Sequence, residues 1–185
     1  MAIGVFSPTV PSKASDIMLG EGVIYKNYGT ENLIIGATRG GSKLIIEKPI
    51  KEIKYDGAYG PTKQMRRVDT YLVKLVVNFL KLTYTNLAYG LPITVSDGAD
   101  KDGTYKKIAF DLEIAAADVV TNITFKGLKM DGTSCLIKVL NALNIDNISL
   151  EFKEKDEVVS EMTYTGFYAA ATPTDAPLEI WDYVV

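Results

Sequence analysis

Leu44-Ile45-Ile46-Glu47-Lys48-Pro49-Ile50-Lys51-Glu52-Ile53-Lys54-Tyr55 and, after a loop, Val68 to Leu82 are two long strand-like runs, and they decide the fold class of this chain. In the second run Tyr71, Val73, Leu75, Val77 and Phe79 alternate with Leu72, Lys74, Val76, Asn78 and Leu80. That period of two puts successive side chains on opposite faces of a sheet. The second face is mixed rather than polar, so Leu72, Val76 and Leu80 are expected to meet another subunit. Between the runs lies a loop, Asp56 to Arg67, whose Asp56, Gly57, Tyr59, Gly60, Pro61, Lys63, Met65, Arg66 and Arg67 no core explains. A hairpin needs only two to five loop residues. Half of this loop, extended, reaches roughly 20 Å at ~3.3 Å per residue. A paired strand with a projecting charged loop suits a protein that joins copies of itself, and the loop is expected to clasp a neighbouring subunit.

The rest of the chain reads as many short strands. Residues 1–19, with Pro8, Pro11 and scattered serines, read as an N-terminal arm, and residues 20–185 as one domain. Strands are expected at Val23–Asn27, Leu33–Thr38, Tyr105–Phe110, Asn122–Gly127, Thr133–Leu140, Ile148–Lys153, Val158–Tyr168 and Ile180–Val184. Thr83 to Leu91 reads as a short helix, with Thr83 or Thr85 as cap, Gly90 as terminator and Pro92 as stop. A helical turn is expected at Ala115–Val120, an exposed turn-rich loop at Ser96–Gly103 and a charged turn at Lys153–Glu157. The sum is a mainly β protein, a β-sandwich or β-barrel with one or two short helices and a long hairpin loop.

Composition excludes several function classes. Of 185 residues 47% are hydrophobic and 23% charged, the balance of a globular domain. A net charge of −3 argues against a protein that grips nucleic acid by neutralising phosphates. There is no histidine, which removes Ser-His-Asp and Cys-His chemistry and every His-based metal site. The lone Cys135 forms no internal disulfide and reads as a small buried hydrophobe in a reducing compartment. The N-terminus lacks the basic and apolar regions of a secretory signal, and Lys74 and Lys81 interrupt the most apolar stretch, so a soluble chain is expected.

Three local motifs fail on inspection. Gly36-Ala37-Thr38-Arg39-Gly40-Gly41-Ser42-Lys43 has Ser and Lys in the reverse of P-loop order and runs into a strand, so a tight hairpin turn is expected there. Asp100-Lys101-Asp102-Gly103 would place Gly98 and Ala109 at the first and twelfth positions of a calcium loop, losing two of its strongest ligands. Lys63, Arg66 and Arg67 are offset by Asp56 and Asp69, which favours a solvated or subunit-contacting loop over a nucleic-acid contact. Counting carboxylates singles out no acid pair of the glycosidase kind. Trp181 reads as a packed residue of the last strand. No catalytic residue, metal or cofactor is expected.

In order along the chain, Gly20-Glu21-Gly22-Val23-Ile24-Tyr25-Lys26-Asn27-Tyr28-Gly29, Ile35 to Gly41, Ile53-Lys54-Tyr55-Asp56-Gly57-Ala58-Tyr59-Gly60-Pro61, the Thr83–Leu91 helix, Val139-Leu140-Asn141-Ala142-Leu143 and Ile148 to Glu157 form a series. The series resembles the tail tube protein, or major tail protein, of long-tailed bacteriophages of Gram-positive hosts. The resemblance covers Gly20 to Trp181 and does not extend to Met1–Leu19. It implies a structural virion protein, assembled in the host cytoplasm as stacked hexameric rings into a hollow conduit for DNA ejection. The implied partners are other copies of the chain, a tape-measure protein in the lumen, terminator and baseplate proteins at the ends, and double-stranded DNA passing without tight binding, with no membrane. Four strands per subunit would give a lumen barrel of ~24 strands, which at ~4.8 Å spacing and about 40° tilt has a backbone diameter near 50 Å. Alternation gives Ser149, Glu151, Glu161, Thr163 and Thr165 as lumen-facing candidates if their strands belong to that barrel. The other class the sequence permits is a β-sandwich module binding carbohydrate or a cell surface, which calls for exposed aromatics on one sheet face.

Overall fold

The computed structural model describes residues 13, 17–57, 59–60, 62–100, 102–150, 152, 154 and 157–183. The alternation seen in the sequence organises it. In β6 (Leu72–Phe79), Val73, Leu75, Val77 and Phe79 are buried, while Leu72, Lys74, Val76 and Asn78 are half-exposed. Burying each of those four apolar side chains contributes about 1.5–3 kcal/mol. β6 pairs on one side with β3 (Thr38–Glu47) and on the other with β11 (Ser160–Gly166), both antiparallel. The sheet continues through β10 (Ser134–Asn144), β9 (Val120–Lys129), β1 (Met18–Lys26) and β2 (Leu33–Ile34), and β12 (Leu178–Asp182) pairs with the first half of β10. The fold is mainly β, and among the described residues the helical elements are one short helix, α1 (Tyr84–Leu87), and a 3-10 turn at Ala116–Asp118.

The strands at the two ends of this path, β2 and β3, are consecutive in sequence. Ile34 and Thr38 lie within ~15 Å of each other at 3.8 Å per residue, so the sheet must curl until its edges meet. The link between them bonds to both sides. Ile35 N–H donates to the Ile24 carbonyl at 3.0 Å, and the Ala37 carbonyl accepts from Leu80 and Lys81 N–H at 3.0 and 3.3 Å. Ile35 is 1% exposed and joins Ile24, Val73, Val77, Phe79, Ile123, Val139, Met162 and Tyr164 in one interior. The Phe79 and Tyr164 rings meet edge to face at 6.3 Å.

Several expectations need correction. Gly36–Lys43 is no hairpin turn: Gly40 and Gly41, both at φ 84°, form an irregularity inside β3 where its register to β6 shifts between Thr38 and Ser42. Ser96–Gly103 is not a loop. β7 (Ile93–Asp100) and β8 (Gly103–Phe110) pair along their whole length, because the turn formers gather at one tight reversal. Of the expected Ile148–Lys153 strand, Ile148, Ser149 and Phe152 are not in a strand, Leu150 makes one bridge to Ser160, and Glu151 and Lys153 lie outside the described residues. The expected Leu33–Thr38 strand shrinks to two residues because Gly36, at φ 124°, turns the chain across the closure. The expected Thr83–Leu91 helix is confined to α1, with Thr83 Oγ1 accepting from Asn86 N–H and Gly90 at φ 72° past its end. Of the expected N-terminal arm, Met18 and Leu19 belong to β1, and residues 1–12 and 14–16 lie outside the described set.

Strand directions define two poles. β1 begins, β9 ends, β10 begins and β3 ends at the pole where β6 starts. At the other pole β6 ends, β9 begins, β10 ends and α1 lies. β6 alone spans ~26 Å between them at ~3.3 Å per residue.

At the first pole the β3–β6 hairpin continues into β4 (Ile50–Glu52) and β5 (Arg66–Val68), paired Ile50↔Val68 to Glu52↔Arg66. The expected unbroken runs are therefore interrupted. Pro49 has no N–H to give the ladder, and two residues on its strand oppose three, Asp69 to Tyr71, on the other. The Asp69 N–H to Pro49 carbonyl bond at 2.9 Å keeps the halves together. Tyr168 braces this neck from β11's end: its hydroxyl accepts from Tyr71 N–H at 2.8 Å and donates to the Tyr71 carbonyl at 3.2 Å.

Two stability predictions follow from close contacts. Tyr168→Phe removes both bonds to Tyr71 and is expected to cost about 0.5–1.5 kcal/mol in denaturant unfolding, with faster amide exchange at Tyr71. Gly22 and Gly127 face each other across β1 and β9, and the Phe125 ring lies over both. A Cβ at Gly22 would overlap that ring and sit 2.7 Å from the Lys126 carbonyl oxygen. Gly22→Ala is expected to destabilise by about 1–3 kcal/mol, read as a lowered melting temperature; an unchanged one refutes the packing.

Candidate functional site

The curled sheet buries its own interior and leaves two hairpins without a face to bury. The first is the β4–β5 arm. All its strand residues but Glu52 are exposed, and beyond Ile53 the chain runs through a tip to Met65. Ile53 N–H still donates to the Met65 carbonyl at 2.8 Å, and Tyr55 and Thr62 hydroxyls meet at 3.3 Å across the tip. Its apolar side chains point into solvent: Tyr59 is 107% exposed, and Ile50, Ile53, Tyr55, Met65 and Val68 are exposed too. Over residues 48–67 six basic residues stand against Glu52 and Asp56. Only Arg66, 3.9 Å from Glu52, has an ion-pair partner among the described residues of the arm.

Asp56, Gly57, Tyr59, Gly60, Lys63 and Met65 accordingly lie on the exposed tip, as a loop reading expects. Pro61 lies outside the described residues. Arg66 and Arg67 do not belong to the loop: they are strand residues of β5, opposite Glu52 and Lys51.

The second hairpin, β7–β8, leaves the opposite pole, following α1 and preceding β9. Each strand packs extensively only on the other, and an isolated two-stranded hairpin is marginally stable in water. Lys106 and Asp97 pair across it, and the bond to Asp97 raises the Lys106 ammonium above its ordinary value. At its base Asp111 N–H donates to the Pro92 carbonyl at 2.9 Å, and Thr94 Oγ1 donates to Asp111 Oδ2 at 2.8 Å. The chain then presents Phe110, Leu112 (104% exposed) and Ile114 to solvent, interleaved with Asp111 and Glu113. The 3-10 turn closes the segment, Asp118 Oδ2 accepting from Ala115 N–H at 2.7 Å. Together they form a concave surface lined by Ile93, Phe110, Leu112 and the three carboxylates. None of these carboxylates has an ion-pair partner among the described residues. Sequence reasoning missed this surface; the apolar–acidic alternation from Phe110 to Ile114 was the available signal.

The other expected sites divide. Leu72, Val76 and Leu80 are half-buried on the outer face of the sheet. Ser149 and Glu161 are exposed, and Glu151 lies outside the described residues. Thr163 and Thr165, expected to face a lumen if their strand lined it, are 9% and 1% exposed within the single chain. Thr165 lies opposite Lys74, whose ammonium reaches Asp146 at 3.4 Å, so the segment leaving β10 lies over this part of the face. Trp181 is not packed either. It is 55% exposed on β12, its Nε1–H donates to Glu179 at 2.7 Å, and the Lys138 ammonium lies 4.6 Å from its ring centre. Lys138 also approaches Tyr28, which contacts Tyr25 edge to face at 5.3 Å, so these aromatics share one outer face.

Among the described residues, the buried or partly buried Cys135, Lys129 and Tyr164 all have raised pKa values. Burial pushes the Cys135 thiol up, and the Asp182 carboxylate opposite it adds to the rise, which suppresses the thiolate. Lys129, 7% exposed in its side chain, is ion-paired with Asp182, and that bond raises its ammonium above the ordinary value. Burial also pushes the Tyr164 hydroxyl far up; it donates only to the Met162 sulfur at 3.9 Å. Among the described residues no cluster of carboxylates and cysteine has metal-binding geometry, and no helix is long and apolar enough to cross a membrane. No protein-family model matches the chain, and no curated protein matches it in sequence.

Proposed function

We propose that this chain is a structural subunit that polymerises through its two hairpins, and that the polymer is a phage tail tube of stacked hexameric rings through which DNA is ejected. One observation carries the assembly reading: hairpins with exposed apolar side chains leave opposite poles of a sheet that has already closed on itself. Among the described residues, 26 large hydrophobic side chains are exposed against 15 buried hydrophobic ones. Six of the exposed ones, Ile50, Ile53, Tyr55, Tyr59, Met65 and Val68, gather on the one β4–β5 arm, and such gathering on one element supports an interaction surface. The tube itself rests on the resemblance of the ordered sequence series, supported by a mainly β architecture and by a net charge of −3 that lets a duplex pass without counterion-release binding.

One observation favours the binding-module reading, the outer-face cluster of Tyr25, Tyr28 and Trp181 with Lys138. Tyr28 and Trp181 are both approached by Lys138, and Tyr25 stands edge to face with Tyr28, which leaves less ring face for a sugar than an open platform would.

Negative-stain microscopy of the purified chain tests the proposal, with rings or tubes as the expected result. Sedimentation as a 20.3 kDa species alone, with no polymer on concentrating, overturns it. Replacing residues 53–65 by a short Gly-Ser turn is expected to leave cooperative melting and the β-type far-UV spectrum intact while abolishing polymer. Unimpaired polymerisation of that variant removes the arm from the contact.

A further inference from the structure

The arm and the acidic concavity carry complementary chemistry and sit at opposite poles. The arm offers six basic residues against two acidic ones, with Ile53, Tyr59 and Met65 exposed among them. From Phe110 to Asp118 the far pole offers three carboxylates and no basic residue, with Phe110, Leu112 and Ile114 exposed. Across residues 93–118 six acidic residues stand against three lysines.

A chain cannot join its own two surfaces. β3 and β6 extend beyond the first pole into β4 and β5, so the arm lies past that pole, while the concavity lies at the other end of β6. From this we infer that the β4–β5 arm of one copy docks into the Phe110–Asp118 concavity of the next, head to tail. Apolar side chains of the tip enter the groove beside Leu112, and Lys51, Lys54 and Arg67 face Asp111 and Glu113. Because the two patches differ, the contact is heterologous: it repeats indefinitely or closes a ring, and never terminates as a two-fold dimer. The inference rests on the assembly reading above and names the surface that receives the arm.

Charge reversal tests it in the full-length chain. Lys51→Glu, Lys54→Glu and Arg67→Glu form one set, and Asp111→Lys with Glu113→Lys the other; Asp118 is retained because it closes the 3-10 turn. Each set alone is expected to raise the concentration needed for assembly by about tenfold or more, and the two sets combined in one chain to recover most of that loss. Higher salt should weaken wild-type assembly in the same direction. Circular dichroism and melting confirm folding, and neutral glutamine versions replace any set that fails to fold, with a smaller loss expected. A second measurement places the contact directly. Tyr59→Cys with Leu112→Cys, in a Cys135→Ser background, should give an oxidised ladder of cross-linked chains, and neither cysteine alone should.

Wild-type assembly without rescue by the combined reversal, and without the Tyr59–Leu112 ladder, overturns the docking site and leaves the tube standing. A ladder from chains that form no tubes under the microscope supports the docking site and overturns the tube. A wild-type chain that stays monomeric overturns both.

Discussion

Closure of the sheet by the three residues Ile35 to Ala37 is the constraint on which the rest of the structure depends. A link this short forces the β2 and β3 edges together, and its bonds to Ile24, Leu80 and Lys81 fix the seam. Closure gives one interior, to which Ile24 from one edge and Leu44 from the other both contribute. It also settles which parts of the chain have no interior to join. β4–β5 and β7–β8 lie beyond the curled sheet; the first is exposed on nearly every strand residue, and the second, among the described residues, reaches the core only through Ile93 at its base.

Edge strands show the same division. A curled sheet protects its central strands, but β12 covers only the first half of β10 and leaves Ile180, Trp181 and Tyr183 exposed on both sides. Unpaired edges with apolar side chains invite pairing with another chain, and monomeric proteins blunt them with charge, proline or brevity. Here Glu179, Lys138 and Trp181 tie one another down without covering the strand. The arm carries such protection in the proline at its neck, in the brevity of β4 and β5 and in the charges of Lys51, Arg66 and Arg67, yet Ile50 and Val68 remain exposed on it.

The parts of the fold set by local physics were legible in the sequence. The two-residue period of β6, the Thr83 cap of the helix and the extension past the Leu44–Tyr55 run are written in consecutive residues. What depends on distant partners was not. Ser96 to Gly103 reads as a loop because its side chains are polar, yet an exposed hairpin has no apolar face to display. The Gly40-Gly41 pair reads as a turn because both need positive φ, and a bulge needs it equally. Thr163 and Thr165 alternate correctly against Met162 and Tyr164, but period alone cannot report that both are buried within the single chain. Of the site, the arm's apolar and basic side chains were visible as residues without a core role. The receiving surface was not, since Asp111 and Glu113 mean little until the fold places them at the other pole.

Net charge hides the quantity that matters for how copies would meet. The value of −3 averages a basic arm and an acidic far pole separated by at least the length of β6. Such a separation steers approaching molecules and orders them before any apolar contact forms. Arm against arm, or concavity against concavity, brings like charges together in addition to mismatched shapes, which penalises two-fold pairing. Arm against concavity satisfies both charge and apolar terms. Specificity of this kind needs the repulsive arrangement as much as the attractive one. On the proposed contact, Lys51 and Lys54, placed beside the exposed apolar Ile50 and Ile53, would disfavour the orientations that bring two arms together.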